Sequence, residues 1–397
     1  MERLAIFGGT PVRETPLSYG RQYIDEDDIR AVVEALKSDN LTCGPMIDAA
    51  EEKLREITGA KHAVLVSNGT AALHLAALAA GFGEGDEVIV SPITFAASAN
   101  CILYCGAKPV FADIDPETYN IDPESIEKLV TPRTKGIVAV DYTGQSVDHD
   151  AIGEICRRHG LVLIEDAAHA IGTRYRGKPV GSMADMTCFS FHPVKTVTSG
   201  EGGAITTDDL GTYRRLLRLR AHGITRNREE MVHPTDALWY NEQVELGFNY
   251  RCTDIQAALL SSQLRKLDRF AARRKEIVAK YDQSFAHMPE VFVQREIPES
   301  DTVRHLYVLR LNLERLACDR RQFFDALRAE NIYSQVHYLP VYWHSYYEKL
   351  GYGKGICPNA ERFYHEVMSL PLHYGMTDRD VEDVILAVRK IVAHYRR

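Results

Sequence analysis

The chain has little that is typical of a membrane or exported protein. Its longest mostly apolar stretch, residues 63–80, is interrupted by Ser67-Asn68-Gly69-Thr70 and by His74, so no segment is predicted to span a membrane. The apolar run near the N-terminus, within residues 4–7, is too short for a signal peptide. We therefore expect a cytoplasmic protein.

Excess positive charge and metal-binding cysteine motifs are also missing. Lys and Arg total 47 against 55 Asp and Glu, a net charge of −8, which disfavours a general binder of nucleic acid or membrane surfaces but leaves room for a local basic pocket. The eight cysteines include no Cys-x-x-Cys pair, and Cys101 and Cys105 are isolated from other ligand types. We predict reduced, mostly packed thiols and no metal site.

The chain does contain enough apolar sequence for a large core, with 397 residues of which 45% are hydrophobic. Between about residues 60 and 207, short β-branched runs alternate with helical patterns, which predicts an α/β domain with a mostly parallel seven-stranded sheet flanked by helices. We assign residues 1–250 to this large domain. The seven runs are His62–Ser67, Glu87–Ser91, Lys108–Ala112, Gly136–Asp141, Leu161–Glu165, Met186–Phe191 and Gly203–Thr206.

After about residue 250 the pattern changes. Leucines spaced three or four residues apart predict one long helix over Thr253–Ala286, joining two domains. Beyond it we predict strands at His305–Leu313 and Tyr333–His337, and helices at Arg320–Glu330 and Asp378–Arg396. Residues 251–397 are therefore predicted to form a smaller C-terminal α+β domain.

The first chemical motif follows the first predicted strand. Gly69 allows close approach of a ligand to the backbone, and Thr70 can donate to an oxyanion at a helix N-terminus, where the helix dipole favours negative charge. The motif is typical of a phosphate site. Ordinary helix capping explains the same residues equally simply.

The second motif ends the apolar run Leu161–Ile164. Asp166 lies at the carboxyl end of a predicted parallel strand, where open α/β sheets bind ligands, and a buried carboxylate there needs a cationic partner such as a protonated ring nitrogen. Asp166 and His169 could instead be metal ligands, but no second pair has suitable spacing. Helix capping by Asp166 remains a third interpretation.

The third motif is Ser190-Phe191-His192-Pro193-Val194-Lys195, followed by Gly200-Glu201-Gly202-Gly203. A strand would deliver Ser190 and His192, and a loop would present Lys195. A lysine whose pKa is lowered can act as a Schiff-base nucleophile and proton shuttle. Most lysines, however, are solvated surface charges.

Together, a phosphate site, a carboxylate for a ring nitrogen and a loop lysine are the components of a pyridoxal 5′-phosphate site. Their order resembles fold-type I transferases that depend on this cofactor and, over almost the whole chain, the DegT/DnrJ/EryC1/StrS family of sugar aminotransferases. The further matching stretches are Leu41-Thr42-x-Gly44-Pro45, Ser67-Asn-Gly-Thr-Ala-Ala-Leu73, Ser91-Pro-x-Thr94-Phe95, Glu165-Asp-Ala-Ala-His169-Ala and Gly247-Phe-Asn249-Tyr-Arg251.

The resemblance implies a role for each matched residue. Lys195 would form the Schiff base with the cofactor and move protons, and Asp166 would pair with the ring nitrogen. His169 would lie near the phenolic oxygen of the ring. The other cofactor contacts implied are ring stacking by Phe95 and phosphate binding by Gly69, Thr70, Ser190 and Asn249.

The same resemblance implies a homodimer whose two active sites are shared. Asn249 would reach the cofactor of the neighbouring subunit, and Thr42 would also serve the partner's site. Thr42, His192, His337 and Tyr338 are the candidate substrate contacts. A strand packed beneath the small domain is the structural alternative for the last two.

The implied reaction has two half-reactions. L-glutamate would leave its amino group on the cofactor, giving pyridoxamine 5′-phosphate, and a keto-sugar nucleotide would take it up. Finer matches at Val140-Asp-Tyr-Thr-Gly-Gln145, Leu238-Trp-Tyr240 and Gln335-Val-His-Tyr-x-Pro-Val-Tyr342 resemble the branch that aminates C4 of a UDP-linked 4-keto-6-deoxy-N-acetylhexosamine in pseudaminic acid synthesis.

Other activities in the family stay open as alternatives. These are C3 or C4 amination of another nucleotide sugar, of the bacillosamine, legionaminic acid or perosamine type, a sugar dehydratase and a non-catalytic regulator. Lys195 counts against the dehydratase, in which histidine replaces this lysine. Six arginines between residues 214 and 228 could meet the diphosphate of a nucleotide, although helix spacing favours a solvated face for Arg214 and Arg218.

Overall fold

The computed structural model describes residues 3–397, so the first two residues of the predicted large domain lie outside the described part of the chain. The helices, in chain order, are α1 (Glu26–Lys37), α2 (Pro45–Thr58), α3 (Gly69–Ala79), α4 (Ala97–Tyr104), α5 (Pro123–Leu129), α6 (His149–His159), α7 (Leu210–Leu219), α8 (Asp254–Leu264), α9 (Leu267–Phe285), α10 (Arg320–Ala329), α11 (Ser345–Lys349), α12 (Pro358–Glu366) and α13 (Asp378–Tyr395). The strands are β1 (His62–Val66), β2 (Glu87–Val90), β3 (Lys108–Phe111), β4 (Thr134–Val140), β5 (Val162–Asp166), β6 (Arg174–Tyr175), β7 (Lys178–Pro179), β8 (Met186–Ser190), β9 (Gly203–Thr207), β10 (Ile224–Thr225), β11 (Glu242–Gln243), β12 (Val291–Val293), β13 (Ser300–Asp301), β14 (Tyr307–Leu311) and β15 (Val367–Leu370).

A seven-stranded sheet organises the first 250 residues, and its strands are the seven predicted from the sequence. The strand order is β1-β9-β8-β5-β4-β2-β3, and β9 alone runs antiparallel to its neighbours. Helices cover both faces of the sheet, which explains why its strands are apolar runs rather than alternating patterns. The carboxyl ends of β1, β5 and β8 lie at one edge of the sheet, where ligands bind in such folds.

Helix α3 connects this edge to the hydrophobic core. Asn68 caps the helix by accepting a hydrogen bond from the Ala71 N–H at 2.8 Å. Six of the residues from Ala71 to Ala77 are alanine or leucine and are buried, and the small alanines let the helix lie close to the sheet. The N-terminus of α3 is thereby fixed beside the carboxyl end of β1.

The C-terminal part of the chain has its own antiparallel sheet, with strand order β12-β14-β15. Helices α9, α10 and α13 pack on it through a separate hydrophobic cluster that includes Ile277, Phe323 and Val388. This arrangement agrees with the predicted α+β character. The domain boundary near residue 250 stays a prediction.

Two predicted elements in this region are wrong. The single helix expected over Thr253–Ala286 is two helices, because the chain turns at Arg265–Lys266. Lys266 leaves helical geometry there (φ −100°, ψ 0°) and pairs with the buried Asp28 at 2.8 Å. Leucine spacing does not reveal this break, since both helices bury apolar residues in the same cluster.

The strand predicted at Tyr333–His337 is also absent. Only one bridge, between Gln335 and Ser369, forms there. The segment instead touches the edge strand β15 at this one bridge, and His337 lines a cavity. None of the helices within residues 3–397 is long and apolar enough to cross a membrane.

Candidate active site

A cavity of about 680 Å³ opens at the carboxyl edge of the large sheet, beside the N-terminus of α3. Ten of the twelve predicted site residues line it. They are Gly69, Thr70, Phe95, Asp166, His169, Ser190, His192, Lys195, His337 and Tyr338. The structure therefore brings together motifs that are separated by up to 269 residues along the chain.

Asp166 is the buried acid of this cavity. Its Oδ2 accepts a hydrogen bond from the Ser98 hydroxyl at 2.5 Å, and its Oδ1 accepts one from the Ala168 N–H at 3.1 Å. Burial raises the pKa of Asp166, and these hydrogen bonds oppose that rise. A carboxylate held in this way can pair with a cation that enters the cavity, which supports the ring-nitrogen interpretation over helix capping.

Lys195 lies on the loop after β8 and faces the same cavity. Burial lowers the pKa of its amine to about 8, and the charge of Asp166 partly offsets that effect. The amine is therefore neutral far more often than that of an ordinary lysine at the same pH. Neutral amine is the form that attacks a carbonyl carbon.

Three histidines surround Lys195 in an uncharged state. Burial and the nearby Lys195 charge hold the pKa of His169 well below its ordinary value and lower that of His337 to about 4. The His337 Nδ1 is 2.8 Å from the Ser369 hydroxyl, and the Tyr338 hydroxyl is 3.3 Å from the His169 Nε2. The third, His305, also lines the cavity.

The end of the cavity at α3 is shaped for an anion. The first N–H groups of the helix point outward without helical partners, and Gly69 leaves a space that a side chain would fill. A Cβ on Gly69 would lie 2.9 Å from the Ser190 Cβ. Thr70 and Ser190 add hydroxyl donors beside this space, so a phosphate group fits here.

Pyridoxal 5′-phosphate thus fits the residues present. Its phosphate suits the N-terminus of α3, its ring nitrogen suits Asp166 and its aldehyde suits Lys195. Within residues 3–397 no group of three His, Cys, Asp or Glu side chains is arranged to hold a metal ion, so the donors around Asp166 and His169 do not favour the metal-ligand interpretation.

Two predicted site residues, Thr42 and Asn249, do not line the cavity, and both are exposed. Thr42 bridges to Thr253, and Asn249 bridges to Ala221. Their positions are compatible with a role in a neighbouring subunit and give no support for a role within the same chain.

Some arginines of the segment between residues 214 and 228 form ion pairs within the chain rather than lying on a solvated face. Arg214 is exposed, as helix spacing indicated. Arg218 is not on a solvated face, because its side chain is only 20% exposed and pairs with Glu230 at 3.0 Å and Glu245 at 2.9 Å. Arg220 pairs with Glu51 at 2.6 Å. The sequence does not reveal these carboxylates, since Glu51 is far away along the chain.

Several residues of the site were not predicted from the sequence. Ser98 bonds Asp166 from outside the cavity lining, and Tyr19, Tyr250 and His305 line the walls. The Ser98 hydroxyl also contacts the Thr94 hydroxyl at 2.6 Å, and Thr94 belongs to one of the motifs matched in the sequence. For Tyr19 and His305 no motif singles them out.

Comparison with known proteins identifies the family of the chain. A model of the DegT/DnrJ/EryC1/StrS aminotransferase family matches residues 22–389. The chain is 43% identical over 381 residues to the spore coat polysaccharide biosynthesis protein SpsC of Bacillus subtilis, which covers 95% of this chain and 97% of SpsC. It is 39% identical over 380 residues to a UDP-4-amino-4,6-dideoxy-N-acetyl-β-L-altrosamine transaminase of Campylobacter jejuni, which covers 94% of this chain and 97% of that enzyme.

Solved structures agree with this assignment. Helicobacter pylori PseC, an aminotransferase involved in the biosynthesis of pseudaminic acid, superposes with a TM-score of 0.89 at 33% identity, covering 96% of this chain and all of PseC. Spr1654 of Streptococcus pneumoniae, described as a putative sugar aminotransferase and known in pyridoxal and pyridoxamine phosphate forms, has the same TM-score at 30% identity. The comparison covers 96% of this chain and 99% of Spr1654 in the pyridoxal form. The chain has the fold-type I architecture, uses pyridoxal 5′-phosphate and belongs to the DegT/DnrJ/EryC1/StrS family of sugar aminotransferases.

Proposed function

We propose that this aminotransferase moves the amino group of L-glutamate to C4 of a UDP-linked 4-keto-6-deoxy-N-acetylhexosamine. The observation that carries the proposal is the 39% identity, over nearly the whole of both chains, with a transaminase whose name specifies that product class. The likeness to PseC, an aminotransferase of pseudaminic acid biosynthesis, also supports it.

The residues of the cavity divide into roles that follow from their chemistry. Bound pyridoxal phosphate supplies the electron sink that lets an amino group pass between two carbon skeletons. Lys195 holds the cofactor at rest and moves a proton to and from the reacting carbon, a role for which an amine with a pKa near 8 is well suited. Asp166 keeps the ring nitrogen protonated through a charge-assisted hydrogen bond.

The remaining roles concern binding and orientation. Gly69, Thr70 and Ser190 would hold the phosphate, Phe95 would stack on the ring, and His169 would lie near the phenolic oxygen. The side chain of Phe95 is 63% exposed and lines the cavity, so it is available to contact a ligand there.

The sugar contacts are also part of the proposal. His192, His337 and Tyr338 line the cavity and would offer hydrogen-bonding groups to the sugar. Thr42 would reach the sugar of the partner subunit.

We also propose that the enzyme acts as a homodimer with shared sites. An exposed apolar segment precedes Asn249 and includes Leu238, Trp239 and Leu246, which are 98%, 84% and 80% exposed. Large apolar side chains at this exposure are typical of a surface that another protein covers. Coverage by a second copy would carry Asn249 to the partner's cofactor phosphate.

A second candidate rests on the relative SpsC, at 43% identity. Its name assigns it to spore coat polysaccharide biosynthesis, so a different nucleotide sugar is the alternative substrate, aminated at C3 or C4. The presence of Lys195 and of the whole set of cavity residues argues against a dehydratase or a regulator. Cytoplasmic localisation stays a prediction.

The experiment is a stepwise absorbance titration. The protein loaded with pyridoxal phosphate is mixed with L-glutamate and then with a UDP-linked 4-keto-6-deoxy-N-acetylhexosamine. Glutamate should convert the cofactor to its amino form, and the sugar should convert it back, with the new amine located at C4 by NMR of the product.

Each failure has a separate meaning in this titration. Conversion by glutamate without reversal by the 4-keto sugar would reject the acceptor, and a 3-keto nucleotide sugar tested in parallel would identify the alternative. A cofactor that glutamate leaves unchanged would reject the donor.

A further inference from the structure

His305 is a buried histidine of the cavity to which none of the motifs assigns a role. It is 5% exposed and lies just before β14. Its backbone is fixed on both sides, since its N–H donates to the Thr143 carbonyl at 2.7 Å and its carbonyl accepts from the Arg274 guanidinium at 3.2 Å. Arg274 is itself buried and also bonds the Leu372 carbonyl at 3.1 Å. The imidazole is therefore held against the cavity by a rigid support.

The ring nitrogens of His305, unlike its backbone, form no hydrogen bond within the described residues. Neither ring nitrogen of His305 has a hydrogen-bond partner among residues 3–397, and Nδ1 is shielded from solvent. The neighbouring His169, whose ring centre is 4.6 Å away, also has an unpartnered Nδ1. A ligand cannot reach an Nδ1 that solvent cannot reach, so the ring nitrogen that His305 offers to the cavity is Nε2, which has no partner among the described residues. A polar atom left unpaired at a cavity wall indicates a hydrogen bond that a ligand would complete.

The charges near the rings of His305 and His169 indicate which chemical group of a ligand they can bind. Burial, Lys195, His169, Arg274 and His337 all hold the pKa of His305 well below its ordinary value, so the ring is neutral and carries one N–H. Lys195 is the single Lys or Arg among the described residues that line the cavity. An anionic oxygen that enters must therefore rely largely on neutral donors.

We propose that His305, together with His169, forms a hydrogen-bonding site for an anionic oxygen of a ligand in this cavity. Two ligands bring such an oxygen: the cofactor, through its phenolic group, and the amino donor, through a carboxylate. In both cases the neutral imidazole donates its N–H without adding a positive charge next to Lys195.

The test uses His305→Phe, which keeps a ring but removes both nitrogens. The matched control is His62→Phe, which replaces a histidine stacked on Tyr213 at 4.5 Å, outside the cavity. Each protein is loaded with pyridoxal phosphate, and the absorbance of the bound cofactor is titrated with pH. Each loaded protein is then titrated with glutarate, an unreactive analogue of the donor glutamate.

A phenolic contact predicts that His305→Phe shifts the pH midpoint of the cofactor absorbance by about one unit, with no shift in His62→Phe. A carboxylate contact predicts that glutarate binds roughly 10-fold more weakly to His305→Phe, with an unchanged midpoint. Either result supports the site and identifies its ligand. An unchanged midpoint together with unchanged glutarate binding overturns the proposal.

Two controls keep the result interpretable. If His305→Phe does not fold, His305→Asn is measured in the same two titrations and is decided by the same criteria. The glutarate titration rests on the proposed donor, which the glutamate titration described above tests separately, and it is uninformative if wild-type protein does not bind glutarate. In that case the pH midpoint alone decides whether His305 contacts the cofactor.

Discussion

At the scale of single residues, burial determines the chemistry of this cavity. The same desolvation that raises the pKa of Asp166 lowers those of Lys195 and His169, because low dielectric disfavours every charged form. The result is an acid that needs a cation, an amine that is partly neutral and imidazoles that can donate without charge.

Lys195 is expected to be indispensable for turnover. Lys195→Ala should lower kcat by at least about 1,000-fold, because both the attachment of the cofactor and the proton shuttle are removed. The absorbance of the lysine-bound cofactor should also disappear. Lys178→Ala, in the β6–β7 hairpin, is the control and should leave both unchanged; turnover by Lys195→Ala at the control's rate would remove Lys195 from the mechanism.

The lowered pKa of Lys195 predicts how the cofactor-free enzyme captures pyridoxal phosphate. Only the neutral amine reacts, so the capture rate should rise about tenfold per pH unit below a midpoint near 8 and become constant above it. An ordinary lysine would give a midpoint near 10.4. Stopped-flow absorbance from pH 6 to pH 10 measures the midpoint, and a rate still rising at pH 10 would contradict the shift.

Ser98 is expected to adjust the acidity of Asp166. Ser98→Ala removes the 2.5 Å hydrogen bond that stabilises the carboxylate, so the pKa of Asp166 should rise further and kcat/KM should fall roughly 10-fold. Ser125→Ala removes a hydrogen bond to the Asp113 N–H, outside the cavity, and serves as the control. Equal kcat/KM in the two variants would show that Ser98 has no influence on Asp166.

At the scale of secondary structure, function depends on where elements end. The sheet delivers Asp166 and Ser190 at the carboxyl ends of two neighbouring parallel strands, and α3 begins beside them. Helix α3 must approach β8 closely for its N–H groups to reach the same ligand, and Gly69 permits that approach.

Gly69→Ala should weaken cofactor binding while leaving the fold intact. The added methyl group would lie 2.9 Å from the Ser190 Cβ, which must push the helix start or Ser190 away. We expect the Kd for pyridoxal phosphate to rise about 10-fold, measured by fluorescence titration of cofactor-free protein. Gly83→Ala is the control, since nothing lies within 4 Å of its added Cβ, and equal Kd values for the two variants would contradict a phosphate site at this helix start.

At the scale of the whole molecule, the proposed dimer predicts that two impaired variants recover activity when they are mixed, which a monomer would not do. If Asn249 serves the partner's site, a heterodimer of Lys195→Ala and Asn249→Ala contains one site with both wild-type residues. Equal mixing with subunit exchange should therefore restore about a quarter of wild-type activity, although each variant alone is impaired.

Sedimentation of the mixture measures whether the protein is dimeric. Dimers must dissociate and reform for the subunits to exchange. Dimers with no recovered activity would mean that each site is built from one chain. Leu238→Asp should weaken the dimer by exposing charge to the partner, whereas Leu386→Asp, at a position that is 47% exposed on α13, should not.

The sequence determined the cofactor, the family and the strands of the large sheet. These features depend on short contiguous patterns: apolar runs for strands, Ser67–Thr70 for a phosphate, and the segments ending in Asp166 and Lys195. Each motif had an ordinary structural explanation alone. Their order along the chain resolved the ambiguity, because few chemistries require all three.

The tertiary structure decided what depends on contacts between distant residues. The break at Lys266 requires Asp28, the burial of Arg218 requires Glu245, and the support of His305 requires Arg274 and Thr143. None of these partners lies near its counterpart in the sequence. Periodicity and motifs report local preference, whereas burial and the pKa shifts that follow from it arise only when distant segments exclude water together.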